Sequence, residues 1–221
     1  MSAGRRNAFA PRAEKMKAQD GEDLPPLTRE RAERELETAG KMNPGAWVAH
    51  SKFCALACEK IAERIPHLDA GTAYVLGLMH DVGRREGVFQ EKHLLDGYRY
   101  CSRFGWTQAA RICITHAFMI PDVTAGVGRL DVPAEDVAFL KRYLESVEYD
   151  DYDRLVQLCD GLALPGGFCF LETRILDVAL RYGVPACSLA RWRRLFEIKA
   201  RFEEIIGGSL YDLLPGAKLP L

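Results

Sequence analysis

From Leu27 onward, apolar residues return every three or four positions rather than every second one, the period that lays one side of an α-helix against a core. The pattern and its punctuation predict nine helices, over residues 28–41, 46–65, 70–82, 91–104, 107–118, 134–147, 151–164, 168–182 and 188–206. Pro66 closes the second, Asp69 is placed to cap the third, and Pro133 opens the sixth. The third reads AYVLGLMHDVG over most of its length, too apolar for anything but a buried central helix. The first, rich in Glu, Arg and Ala, reads as a solvated amphipathic helix. Residues 119–131, with Pro121, Gly126 and Gly128, form the longest irregular stretch. No alternating strand pattern and no internal repeat occurs. The expectation is an all-α fold: one helical domain over 27–207, a polar flexible segment over 1–26 and a loose tail over 208–221.

Composition narrows the class of protein. The 221 residues are 48% hydrophobic, enough to bury about 70% of the extended chain's surface without staples. Thirty Lys and Arg against 31 Asp and Glu leave a net charge of −1, so no global basic field attracts nucleic acid or an anionic membrane. No run of eighteen apolar residues suggests a membrane span, and the N-terminus lacks the apolar core of a signal peptide. A cytoplasmic location is therefore expected. Seven cysteines is an odd number and none lies in a Cys-x-x-Cys pair. Cys54 and Cys58 stand one helical turn apart without third and fourth ligands, which reads as buried reduced thiols.

The candidate chemistry lies in ionisable residues on the apolar faces. His50 shares a face with Trp47, Cys54, Ala57 and Ile61, and His80-Asp81 end the apolar run of the central helix. His93 aligns with Gly97, Tyr100 and Phe104, His116 with Ala109 and Ile112, and Asp160 follows Val156 by one turn. Each alone has a bland explanation as a satisfied core histidine or a cap. Asp81 is the exception, because an unpaired buried carboxylate costs several kcal/mol. Together, four histidines and two aspartates turned inward from five helices read as one site of the ligand types that hold Zn, Mn or Fe. His67, in the loop after Pro66, is expected in solvent.

The order His50, His80-Asp81, Asp160, with the string Leu76-Gly77-Leu78-Met79-His80-Asp81-Val82-Gly83-Arg84, resembles the HD-domain superfamily of metal-dependent phosphohydrolases. Lys92-His93-Leu94-Leu95-Asp96-Gly97-Tyr98 and Ile114-Thr115-His116 resemble the segment that supplies two further histidines in its dinuclear branch. The resemblance spans roughly His50 to Asp160, half the chain. It implies a helical bundle of HD type and two divalent transition metals (Fe, Mn, Zn or Co). One would be held by His50, His80, Asp81 and Asp160, the other by Asp81 as a bridge with His93 and His116. A hydroxide between metals about 3.5–4 Å apart would attack phosphorus in a nucleotide or other small phosphate ester. Asp81 and Arg84 are the implied catalytic residues, with Arg84 binding substrate phosphate. Arg84 also has a plainer reading as a cation at a helix C-terminus, and Arg85 reads as solvated.

Other features are less pointed. The loop leaving His116 is placed to overhang the site, yet its Gly126-Val127-Gly128-Arg129 is no P-loop. Phe118, Met119 and Tyr152 would flank a base if the substrate is a nucleotide, with core packing expected for at least two. Asp150, Asp151 and Asp153 read as a solvated helix start. Trp192, Phe196 and Phe202 give the last helix an aromatic face, for the core or for a homodimer. Two rival functions stay open. Some HD proteins with the same ligand pattern hold a mixed-valent di-iron centre and use O₂ to cleave a C–C or C–P bond. A non-catalytic binding module is the other.

Overall fold

The computed structural model describes residues 25–217 apart from 127 and 129, so the segment expected to be flexible lies almost wholly outside the described residues. The described chain is all-α. Its helices are α1 (Arg29–Met42), α2 (Ala46–Ala62), α3 (Ala70–Met79), α4 (Lys92–Arg103), α5 (Thr107–Thr115), α6 (Ala134–Ser146), α7 (Asp151–Leu162), α8 (Leu171–Tyr182) and α9 (Ser188–Ile206). Local chemistry starts several of them. Thr28 accepts from the Arg31 amide, Asp69 from that of Thr72, and Asp150 exchanges bonds with Asp153 in a capping box.

The centre is α3, buried from Ala73 to Met79 and packed along α2. The two helices approach closely because Gly77 has no side chain. A Cβ there would stand 2.8 Å from Cys58 Sγ and 2.9 Å from Ala55 Cα. α1, expected to be a solvated amphipathic helix, buries Ala32, Leu36 and Ala39 against this pair. A second cluster of Leu94, Leu95, Ile114, Phe118, Leu140 and Leu144 joins α4, α5 and α6.

Two departures from the helical expectation shape the site. α3 stops at Met79, and the chain tightens into a 3₁₀ turn over Val82–Glu86. The turn lets Gly83 lie against the α4 backbone, where a Cβ would be 1.9 Å from the His93 carbonyl oxygen. α7 stops at Leu162, and Ala163–Leu164 (β1) pairs antiparallel with Gly167–Phe168 (β2). Gly167, at φ 145°, makes the turn that Pro165-Gly166 begins. Beyond α9, Leu210 and Leu214 are buried in the core, so the chain up to residue 217 is packed rather than loose. Among the described residues no helix is long and apolar enough to cross a membrane.

Candidate metal centre

His80 and Asp81 sit where α3 gives way to the 3₁₀ turn, with side chains 1% and 6% exposed. α2 brings His50, α5 ends on His116, α7 brings Asp160 from its last turn, and α4 carries His93 in its first. The six predicted residues do converge. His50 Nε2 lies 2.9 Å from Asp160 Oδ1, and His80 Nε2 lies 3.9 Å from the same oxygen and 3.8 Å from Asp81 Oδ2. His116 Nε2 and His93 Nε2 are 3.8 and 3.1 Å from Asp81 Oδ1. Ligand atoms about 2.1 Å from one ion are roughly 3–4 Å from each other. In two triads that share His80, His50-His80-Asp160 and His80-Asp81-His116, the ligand atoms all lie within 4.8 Å of one another.

The imidazoles are oriented from behind. His50 Nδ1 faces the Ala163 carbonyl at 3.2 Å, His80 Nδ1 that of Gly77 at 2.7 Å, and His116 Nδ1 that of Ile112 at 2.9 Å. Donating Nδ1–H to a main-chain oxygen leaves the Nε2 lone pair pointing inward, the arrangement that metal-binding histidines use. His80 Nε2 and Asp81 Oδ1 are fully buried and make no hydrogen bond among the described residues. Such orphaned atoms are costly unless a cation satisfies them. These His and Asp clusters fit a metal ion.

His93 differs. Its Nδ1 is buried without a partner, and its Nε2 lies 3.3 Å from the Arg84 guanidinium, which also donates to Asp81 Oδ2 at 2.6 Å. Arg84 thus reaches inward across the carboxylate instead of standing free at the site's rim. Arg85, expected in solvent, is 11% exposed and lies 4.0 Å over the Tyr100 ring. A guanidinium with a long stem finds an aromatic face more favourable than the sequence suggests.

Charge is distributed unevenly. Burial alone would raise the Asp81 and Asp160 carboxyls, but Arg84 with His80 and His93 at Asp81, and His50 with His80 and His116 at Asp160, override it and hold both well below the usual carboxylate range. Burial opposes a charge on His80, yet Cys54 and then Asp81 raise it to about 9. Burial also drives the Cys54 thiol well above its usual value. Burial against His50 is likewise outweighed by Asp160. Burial and then His80 push His116 down to about 3, leaving it a neutral imidazole.

Remaining expectations divide. His67 is 54% exposed and pairs with Asp151. Phe118 and Met119 are in the core, and the Tyr152 hydroxyl accepts from the Asp69 amide, so these three do not line up as a base platform. Phe202 is buried while Phe196 is 38% exposed. Six of the seven thiols are buried and none is in a disulfide. Asp153 is fully buried rather than solvated, holding the Thr115 hydroxyl at 2.6 Å. Gln157 beside it donates to the carbonyls of Thr115 and Phe118 at 2.8 and 3.1 Å. This network fixes the chain on both sides of His116. Its sequence signal was Gln157 standing amid Leu155, Val156, Leu158 and Cys159, a polar residue in an apolar run.

Comparison with known families bears on one part of this bundle. A family model described as HDOD domain, an HD-related family, matches residues 30–89. The match takes in His50, His80, Asp81 and Arg84 and ends before His93, His116 and Asp160. No curated protein and no solved structure matches the chain.

Proposed function

We propose that this chain is a metal-dependent phosphohydrolase of HD type acting on a nucleotide or other small phosphate ester. The observation that carries the reading is the set of three imidazoles, His50, His80 and His116, tethered through Nδ1 to main-chain oxygens and converging through Nε2 on Asp81 and Asp160. An ion held there supplies positive charge for a phosphate oxygen and a water acidified toward neutral pH. The protein's own contribution is orientation and proton handling. The carbonyls of Ala163, Gly77 and Ile112 fix the tautomers. Asp81 and Asp160, both held ionised, balance the incoming charge. Asp160, with 29% of its side chain exposed, and Arg84, with 30%, form the open side, where a substrate enters.

A second ion between Asp81 Oδ1, His93 and His116 requires the Arg84 guanidinium, 3.3 Å from His93 Nε2, to draw back, so the favoured loading is one ion per chain, rising to two only when Arg84 swings out. The test is elemental analysis of protein purified without chelator, expressed per chain, followed by phosphate release from nucleotides with Mn²⁺ or Co²⁺. One equivalent or more, lost with turnover in His80→Ala and Asp160→Asn, is expected. No metal after reconstitution refutes the reading. Two irons per chain with oxygen uptake instead of phosphate release favours the oxygenase chemistry.

A non-catalytic role is the second reading, and two observations favour it. The matching family is HDOD, whose members are often non-catalytic or signalling. Arg84 already neutralises Asp81. Metal uptake with no turnover on any phosphate ester would select it.

A further inference from the structure

If Arg84 is committed to Asp81, the site needs another cation to hold an anionic substrate. Arg191, in the first turn of α9, has the properties of one. It is half-buried, and its Nε is fully buried with no hydrogen-bond partner. Among the described residues no carboxylate forms an ion pair with it, and a guanidinium nitrogen stands 3.7 Å from Met119 Sδ. Most other buried arginines here are matched: Arg84 by Asp81, Arg111 by Asp150 and Asp153, Arg85 by Glu35 and the Tyr100 ring. A desolvated guanidinium without a counter-charge is expensive to keep. Burial accordingly holds its pKa below the ordinary arginine value.

Its place relative to the centre follows from three contacts. Met119 is three residues beyond His116. Leu195, one turn after Arg191, packs on α7 at Gly161, where a Cβ would stand 3.6 Å from Leu195 Cδ2, immediately beside Asp160. Cys187, Glu91 and Asp160 all favour the Arg191 charge against its burial. Glu91 itself is engaged by the Gly128 amide at 2.6 Å.

We propose that Arg191 is the anion anchor of this site, its fork of donors taking a phosphate group of the substrate beside the His/Asp cluster. The proposal rests on the phosphohydrolase reading for its substrate class but not for its test. A planar guanidinium matches two oxygens of one phosphate, and α9, which packs on α7 at Gly161 beside Asp160, carries it.

Inorganic phosphate is the probe, titrated by calorimetry into wild type and Arg191→Gln, each with and without Mn²⁺. Arg191→Gln should keep the metal content of wild type and bind phosphate roughly 10- to 100-fold more weakly, the loss expected for a charged hydrogen-bonding partner. Arg191→Lys should recover part of the affinity. If Arg191→Gln does not fold, wild type serves: phosphate should protect Arg191 from phenylglyoxal, located by mass spectrometry. Unchanged phosphate affinity in Arg191→Gln, or no protection of Arg191, overturns the anchor. So does a wild type that binds no phosphate at all. Failure of the two ideas can be told apart. Metal uptake with phosphate binding that ignores Arg191 removes the anchor and leaves the metal centre. Arg191-dependent phosphate binding without metal uptake does the reverse.

Discussion

Replacing Gly83 by alanine is the sharpest probe of how the His-Asp turn is held. The added Cβ would meet the His93 carbonyl oxygen at 1.9 Å, the Gly97 amide nitrogen at 2.4 Å and the His93 carbonyl carbon at 2.9 Å. All three are backbone atoms, so no rotamer change relieves the clash. Reaching an ordinary contact of 3.4 Å requires the 3₁₀ turn and α4 to part by about 1.5 Å. Overpacking a core typically costs 1–3 kcal/mol, and a backbone-on-backbone collision belongs at the upper end, about 3 kcal/mol. For a chain of this size that lowers Tm by roughly 6–12 °C. Gly166→Ala is the control, because nothing lies within 4 Å of a Cβ there; it should stay within about 0.5 kcal/mol of wild type. Gly77→Ala, facing Cys58 Sγ and the Ala55 backbone at 2.8–2.9 Å, should fall between. Thermal unfolding followed by circular dichroism reads all three. A Gly83→Ala protein melting within about 2 °C of wild type would refute the close approach of the turn to α4.

Other consequences are quickly stated. His116→Ala should lower metal affinity more than His93→Ala, because only His116 is tethered through Nδ1 and belongs to a converging triad; competition with a fluorescent chelator ranks them, and the reverse order contradicts the tether argument. Gln157→Leu leaves the Thr115 and Phe118 carbonyls without their donor and should cost about 2–4 kcal/mol by urea denaturation. Asp153 is raised from 3.8 to about 6 by burial, so the folded state takes up a proton before the unfolded chain does. Wild type should then gain stability relative to Asp153→Asn as pH falls from about 6 to about 4, by at most about 3 kcal/mol; a gap that does not change with pH denies the shift. An aromatic disulfide reagent should react quickly with roughly one thiol in the native chain, Cys187, since the other six are buried.

Much of this architecture was legible because it is local. Asp69 and Asp150 announce their helices through side chains that bond the next turn's amides, and Ser188–Ile206 has the predicted bounds. Helical period alone placed His50, His80, Asp81, His93, His116 and Asp160 on inward faces, since an apolar stripe points to the core whatever it meets there. What failed had non-local causes. Residues 80–82 continue a helical pattern, but α3 ends at Met79 and Val82 opens a 3₁₀ turn whose Gly83 lies against α4. The end of α7 becomes β1 because Ala163 is needed by Phe168 across the hairpin, and its carbonyl faces His50.

Charged residues show the division most plainly. Arg84, Arg85 and Arg191 are alike in sequence, three arginines near helix ends. Tertiary packing sends one to Asp81, one to the Tyr100 ring, and leaves the third half-buried without an ion pair. Asp150 and Asp153 are likewise neighbours in one acidic run, yet the first caps a helix near solvent while the second is fully buried beneath Thr115. Periodicity determines which side of a helix faces inward, because that is a property of 3.6 residues per turn. Which partner waits on that side depends on how the helices cross, and that decides whether an ionisable group becomes a ligand, a counter-ion or an anchor.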